Sequence, residues 1–298
     1  KRISMKSFQN YFLKFSYAVE AILIHFVLNI LKIFPYRSRI HAGSLIFRIF
    51  ISPLTGNKKR IENNLNFVMP NLLENEKSEL ASRCLNNIGM TMFELLSPKE
   101  FKLAGQRAKV LGPGIALLER ARDESKPVIL ISGHFGNYDV IRANLISKGF
   151  ELGALYRPMN NPYFNATYLK SISNIGVPLF ARGNSGMAEM MKFLQHGKSI
   201  ALLIDQHMSN GEPLKFFGKT AFTATSAAKM ALKYDAILMP FFVLRKGRTS
   251  DFDLHFEAPI EHSNPIKMTQ DFNDRLEARV KENPDQWLWT HKRWKSIV

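Results

Sequence analysis

A histidine five residues ahead of an aspartate, at the end of a strongly apolar run, is the feature of this chain best suited to chemistry: Val-Ile-Leu-Ile-Ser-Gly-His-Phe-Gly-Asn-Tyr-Asp at residues 128–139. An aspartate that accepts one ring N–H of a histidine fixes the tautomer and frees the other nitrogen to take a proton from a hydroxyl. His134 and Asp139 are therefore the candidate base and orienter. Neither is a good covalent nucleophile. The chain has no G-x-S-x-G elbow, and its one cysteine, Cys84, lies in an amphipathic stretch far from any histidine. The expected reaction is a direct transfer between two bound substrates.

The spacing alone does not decide the matter, because His207 and Glu212 repeat it. Local context separates the two pairs. Residues 128–132, bounded by Pro127 and Gly133, read as a strand buried on both faces, so His134 falls at a strand's carboxyl end. Open α/β sheets bind ligands there, where loops splay and the next helix presents free N–H groups. That helix is expected to start at Asn137, with Asp139 in its first turn and Ile141, Leu145 and Ile146 on its apolar face. Residues five apart on a helix point about 140° from each other. His134 can meet Asp139 only by lying in the loop and swinging back, helped by Gly133 and Gly136. Glu212, flanked by Gly211 and Pro213, starts no helix.

The elements that position this pair alternate after residue 106. Strands are expected at 108–111, 128–132, 151–156, 177–180, 200–204, 236–244 and 252–256, and helices at 114–122, 137–147, 163–174, 187–196 and 225–234. Such alternation predicts an α/β fold whose mixed sheet is covered by helices on both faces. Residues 41–105 read as helical, so 41–298 forms the catalytic domain, helical to 105 and α/β from 106. Residues 1–40 form an N-terminal membrane-associated region. Its apolar segment, 17–34, ends at Pro35, and uncharged residues run only from Ala21 to Leu31, short of the roughly 20 that span a bilayer. Spanning and interfacial placements both stay open.

Among 298 residues, 41 Lys and Arg oppose 25 Asp and Glu, a net charge of +16 that favours an anionic partner. The basic residues are scattered and no nucleic-acid-binding signature occurs, which points to anionic lipid or an acidic protein and away from nucleic acid. Arg37, Arg39, Arg48, Lys58, Lys59 and Arg60 follow the apolar segment, as expected of a catalytic portion on the cytoplasmic side of a membrane. Dispersed histidines and a single cysteine supply no metal-ligand spacing, and a single cysteine excludes an intrachain disulfide.

Three further blocks end strands of the expected sheet: Tyr156-Arg157-Pro158-Met159-Asn160-Asn161-Pro162; Asp205-Gln206 with Phe216-Phe217-Gly218-Lys219; and the tail Trp-Leu-Trp-Thr-His-Lys-Arg-Trp at 287–294. With Gly-His-Phe-Gly-Asn at 133–137 and in this order, they resemble the lipid A biosynthesis lauroyl/myristoyl acyltransferases of the lysophospholipid acyltransferase superfamily, whose motif is H-x4-D/E. The resemblance runs from about Arg107 to the C-terminus, and Tyr138-Asp139 stands where many members have Trp-Glu.

The resemblance implies a membrane-associated enzyme that moves a fatty acyl group from an acyl carrier protein thioester to a hydroxyl of a phosphorylated lipid A precursor at the bacterial inner membrane. It implies no cofactor. His134 would be the general base and Asp139 its orienter. Arg157 would hold the oxyanion or a substrate phosphate, with Asn160 and Gln206 beside the substrate, and Asp205 would hold Arg157 or the acceptor sugar. Phe216, Phe217 and Gly218 would shape an acyl or pantetheine channel. The tail tryptophans with Lys292, Arg293 and Lys295 would dock the domain on lipid headgroups, or Trp287 and Trp289 would pack on the sheet. Alternatives left open are another donor or acceptor, such as acyl-CoA with a lysophospholipid, glycosyl lipid or amino-acid lipid, and a non-catalytic basic membrane-surface protein.

Overall fold

A computed structural model describes residues 5–295. The described chain opens with five α-helices and one π-helical turn: α1 (Met5–Leu31), α2 (Tyr36–Ile46), the π-helical turn (Phe47–Ile51) running into the short α3 (Ser52–Thr55), α4 (Asn57–Val68) and α5 (Glu74–Leu95). Then follow α6 (Pro98–Gln106), β1 (Lys109–Leu111), α7 (Ile115–Asp123), β2 (Val128–Ser132), α8 (Val140–Ser147), β3 (Leu152–Tyr156), α9 (Pro162–Ile175), β4 (Leu179–Ala181), α10 (Asn184–Gln195) and β5 (Ser199–Leu203). A hairpin of β6 (Glu212–Phe216) and β7 (Lys219–Thr223) precedes α11 (Ser226–Lys233), β8 (Ile237–Arg245), β9 (Phe252–Phe256) and α12 (Pro265–Glu282).

Seven strands form one sheet in the order β1-β9-β8-β2-β5-β3-β4. The β8, β2, β5, β3 and β4 strands run parallel, while β9 pairs antiparallel with β8 and parallel with β1, so the sheet is mixed. All seven anticipated strands are present within a residue or two of their expected bounds. Strand β2 lies in the middle with every residue buried. Its side chains alternate between faces: Ile129 and Ile131 join a core with α10, α11, α12 and the tail tryptophans, and Val128 and Leu130 join one with α6, α7 and α8. Both faces are thus covered by helices, as a parallel sheet requires.

Two elements were not anticipated. Helix α12 buries Met268, Phe272, Leu276 and Val280, a four-residue stripe, beneath an otherwise polar surface. The β6–β7 hairpin turns through Phe217 and Gly218, both at positive φ (51° and 67°). A two-residue primed turn normally carries Asn-Gly, so Phe-Gly hid it.

Helix α1 differs from expectation in extent. It ends at Leu31 rather than Phe34, and its stretch Tyr11–Leu31, 21 residues, is long and apolar enough to cross a membrane. One edge of α1 meets α9 through polar contacts. His25 Nε2 lies 2.7 Å from Thr167 Oγ1, and Asn161 Nδ2 donates to Tyr17 O and Glu20 Oε2, both at 2.9 Å. Leu31 is buried against Ile40, Met90 and Phe93 with Val27 and Leu28 beside it, whereas Phe12, Phe15, Ile22, Leu23 and Phe26 are exposed.

Leu130 is fully buried between the layers, so Leu130→Ala is expected to cost about 2–5 kcal/mol through lost burial and a residual cavity. Leu54→Ser, at a side chain 89% exposed, should change stability by less than about 0.5 kcal/mol. Equilibrium denaturant unfolding of both variants checks the pair.

Candidate active site

Strands β2 and β5 are parallel neighbours in a register that sets Ser132 beside Leu203, and Ile204 N–H donates to Ser132 O at 3.0 Å. The chain then leaves each strand from the same edge. Two residues past Ser132 stands His134, and two past Leu203 stands Asp205. The parallel register therefore delivers a histidine and a carboxylate from separate segments to one point.

They meet there. His134 Nδ1 is 2.7 Å from Asp205 Oδ1, and His134 N–H donates to Asp205 Oδ2 at 2.8 Å. The indole N–H of Trp287 donates to Asp205 Oδ2 at 2.9 Å. Burial alone would push the Asp205 carboxyl up. The His134 ring beside it and these donors outweigh that and hold it down at about 2. An ionised carboxylate only accepts, so Nδ1 is the donating nitrogen of His134 and Nε2 carries the lone pair in the neutral ring. Gln206 Nε2 reaches His134 Nε2 only at 3.5 Å, the limit of a hydrogen bond, and leaves that lone pair available.

The expected His134–Asp139 pairing is corrected by this geometry. Asp139 stands at the N-terminal boundary of α8 without a side-chain capping bond, and its Oδ1 accepts from Arg142 Nη1 at 2.7 Å, one turn along the same helix face. Arg142, buried, donates onward to the carbonyls of Ile172 and Gly176 at the end of α9. Asp139 thus ties α8 to α9 while His134 turns the other way. The helix begins at Val140, and Asn137 lies ahead of it, its side-chain oxygen accepting Asp139 N–H at 3.3 Å. Only Gly136 of the two loop glycines has positive φ, 56°, and a Cβ there would lie 1.9 Å from Val243 O. Gly133 serves a close approach instead: a Cβ would come within 3.0 Å of Asp205 Oδ2 and of Leu276.

Two cavities share the histidine in their linings, the first mostly apolar and the second of mixed polarity. One, about 260 Å³, lies between α5 and α9 and is lined by Met92, Leu95, Phe164 and Tyr168 with His134 and Tyr138. The other, about 190 Å³, enters between α8, α9 and β3, past Asp139, Arg157, Ile172 and Leu179. Tyr138 stands edge-on to the His134 ring, centroids 5.3 Å apart, and burial pushes its phenol well above the usual value. Arg157 is exposed at the rim of the second cavity, and its Nη2 donates to Asn160 Oδ1 at 2.9 Å. Asp205 faces His134, not Arg157, which revises the role expected of that carboxylate.

The Phe216-Phe217-Gly218 block does not line either cavity. Phe216 is fully buried, stacked at 21° on Trp294 and edge-on to Trp287, while Phe217 packs on Trp289. The three tail tryptophans are likewise core residues rather than membrane-facing ones. Arg293 is buried too, bonded to Phe222 O and Thr223 Oγ1, with burial lowering its guanidinium to about 10. Lys292 and Lys295 remain exposed. The tail acts on the site from inside: Phe135 bridges Trp287, Leu288 N–H donates to His134 O at 3.0 Å, and Gly136 N–H to Gln286 O at 2.8 Å. Of the second His-x4-acid pair, His207 joins this support through its backbone, while Glu212 lies in β6. His207 N–H donates to His291 Nε2 at 2.8 Å, and burial lowers His291 to about 4, keeping it a neutral acceptor. The Trp287 contact with Asp205 went unread because a tryptophan 82 positions away carries no spacing signal.

The site thus holds a histidine with one ring nitrogen committed to a buried carboxylate and the other left free, in the linings of two cavities. Residues 5–296 match the family described as bacterial lipid A biosynthesis acyltransferase. The chain belongs to that family. It is 22% identical over 237 residues to a lipid A biosynthesis acyltransferase of Haemophilus influenzae, covering 78% of this chain and 74% of that protein. It is also 22% identical over 275 residues to the lipid A biosynthesis lauroyltransferase of Escherichia coli K12, covering 88% and 87%. A third relative, lipid A biosynthesis acyltransferase 2 of Shigella flexneri, is 19% identical over 246 residues. The protein is therefore an acyltransferase of lipid A biosynthesis, and its mixed α/β fold agrees with the resemblance first read from the four blocks.

Asp205 ionises at lower pH in this acyltransferase than in an unfolded chain, so it contributes stability above its unfolded value of 3.8 that is lost as pH falls toward 2. Wild type should exceed Asp205→Asn in stability between pH 5 and 7, and the gap should shrink by roughly 2 kcal/mol between about pH 4 and 2. Denaturant unfolding across that range reads it, and a gap independent of pH would contradict the buried carboxylate's role.

Proposed function

We propose that the protein transfers a fatty acyl group from an acyl carrier protein thioester to a hydroxyl of a phosphorylated lipid A precursor, with His134 Nε2 as the general base. The observation that carries this reading is the position of that ring: one nitrogen is committed to Asp205, and the residue lines both a mostly apolar cavity and a second one of mixed polarity. One cavity takes the acyl chain of the donor and the other an acyl chain of the acceptor, so that thioester carbonyl and hydroxyl face each other at His134.

In the proposed step Nε2 takes the hydroxyl proton as the oxygen attacks the thioester carbonyl carbon. The tetrahedral intermediate then expels the thiolate, which takes the proton back from Nε2. Asp205 holds the ring and stabilises the imidazolium formed between the two steps. Arg157 is the proposed partner of the oxyanion or of a substrate phosphate, since its planar fork matches either. Gln206 and Asn160 are assigned to the substrate's polar part, Asn160 by steadying Arg157. Asp139 keeps α8 and α9 together around the second cavity.

The exposed apolar surface of α1 is proposed to enter the bacterial inner membrane, with the catalytic part on its cytoplasmic face. The +16 charge supports attraction to the anionic leaflet, to the phosphorylated acceptor and to an acidic carrier protein.

His134→Ala should lower transfer, measured with acyl carrier thioester and lipid A precursor in mixed micelles, by about 10²–10⁴-fold; retained turnover would refute the base assignment. Asp205→Asn should lower kcat more than Asp139→Asn does, and the reverse order would return the orienting role to Asp139. Preference for a CoA thioester and a glycerolipid acceptor would overturn the substrate assignment while leaving the base intact.

A further inference from the structure

We infer that the buried Glu94–Arg245 ion pair is a positioning element of the catalytic loop, acting through the side chain of Asn137. This rests on the reading of His134 as the base, since it concerns what holds that residue's loop.

The side chains of Glu94, in α5, and Arg245, at the end of β8, are 0% and 1% exposed. Glu94 Oε1 accepts from Arg245 Nη1 at 2.5 Å and Ser250 Oγ at 2.8 Å. Glu94 Oε2 accepts from Arg245 Nη2 at 2.7 Å and, at 2.8 Å, from Asn137 Nδ2. Three of the four donors come from β8 and the turn after it. The fourth belongs to the loop that carries His134, three residues away.

Asn137 is fully buried, and its amide joins two points: its nitrogen donates to Glu94 and its oxygen accepts the Asp139 N–H that opens α8. A second link runs in parallel. Gln286 grips both backbone groups of Arg245 with its side chain, at 2.8 and 2.9 Å, and accepts Gly136 N–H with its own carbonyl. Thr91 adds a third, its hydroxyl lying 3.3 Å from Arg245 Nη2 and 3.4 Å from Gly136 O. Gly136 and Asn137 are therefore fixed to one arginine from several directions, while His134 is fixed to Asp205.

A buried ion pair returns little net stability for the desolvation it requires, whereas it provides an acceptor of fixed place and charge. The Asn137 donor uses that acceptor. Because a displacement of about 1 Å at a reacting group costs on the order of 10²-fold in rate, the link should appear in turnover rather than in substrate affinity.

The test compares Asn137→Ala with Asn137→Asp in the full chain, reading kcat and KM, thermal unfolding, and hydrogen–deuterium exchange of residues 133–139. Asn137→Ala should lower kcat about 10–100-fold with KM within about twofold, and raise exchange in 133–139 while leaving 199–203 protected. Asn137→Asp has nearly the native size but sets a carboxylate against Glu94, so it should be the worse of the two. A space-filling role predicts the opposite order, and that order, or unchanged exchange in 133–139, would overturn the inference. If the aspartate variant does not fold, Asn137→Ser decides: turnover above the alanine variant sustains a donor role, and equality overturns it. Should His134→Ala retain turnover, the base reading fails, and the exchange measurement still judges the link by itself.

Discussion

The structure turns on one buried carboxylate with three donors. Asp205 is 3% exposed, and an ion so placed is tolerable only where its lone pairs are occupied. The ring of His134, the backbone N–H of the same residue and the indole of Trp287 occupy them. Because two of the three come from His134, backbone and ring are fixed together, and the free nitrogen has one direction left. The carboxylate is held low, so it keeps the ring's tautomer across the whole neutral range.

The same logic governs the buried arginines and qualifies how the charge of the chain should be read. Arg142 and Arg245 are each paired with a buried carboxylate, Asp139 and Glu94, and other terminal N–H groups of each reach backbone carbonyls. Arg293 has no such anion and bonds to carbonyls and a hydroxyl, which is why burial lowers it. These guanidiniums are internal clamps, suited to the task because one planar group reaches several acceptors at once. They face no partner. The excess that remains at the surface is carried by exposed residues such as Lys58, Lys59, Lys292 and Lys295.

What was legible followed from patterns of short range. Apolar runs bounded by turn residues located the sheet strands, and the glycine after Ser132 located the loop that holds His134. Pairing across the sheet was not legible, because nothing in residues 128–132 or 199–203 states that they are neighbours; that adjacency is what brings Asp205 to His134. The sequence offered a carboxylate five residues on, and Asp139 was the natural choice until Arg142, three further along the helix, supplied it with a nearer partner. A channel shaped by Phe216 and Phe217 was implied by the resemblance. In the fold they are claimed by Trp287, Trp289 and Trp294, large rings whose burial needed aromatic walls.

The tail shows why a site assembled by a parallel sheet still needs segments outside it. Parallel strands deliver residues to one edge, but the loops beyond that edge have no ladder partners of their own, and His134 lies two residues past the last one. The stretch 286–288 supplies the missing ladder: it bridges Phe135, accepts from Gly136 and donates to His134 O, in effect adding a short antiparallel strand over the loop. Its own position depends on Asn64, whose amide donates to Trp289 O and His291 O, and on Glu277, which accepts from the hairpin turn at Phe217 beneath the tryptophans. Helix α4, the β6–β7 hairpin and α12 thus converge on the segment that fixes His134. What they do is remove the loop's freedom, and the fixed place of His134 is a property of contacts spread from residue 64 to residue 291.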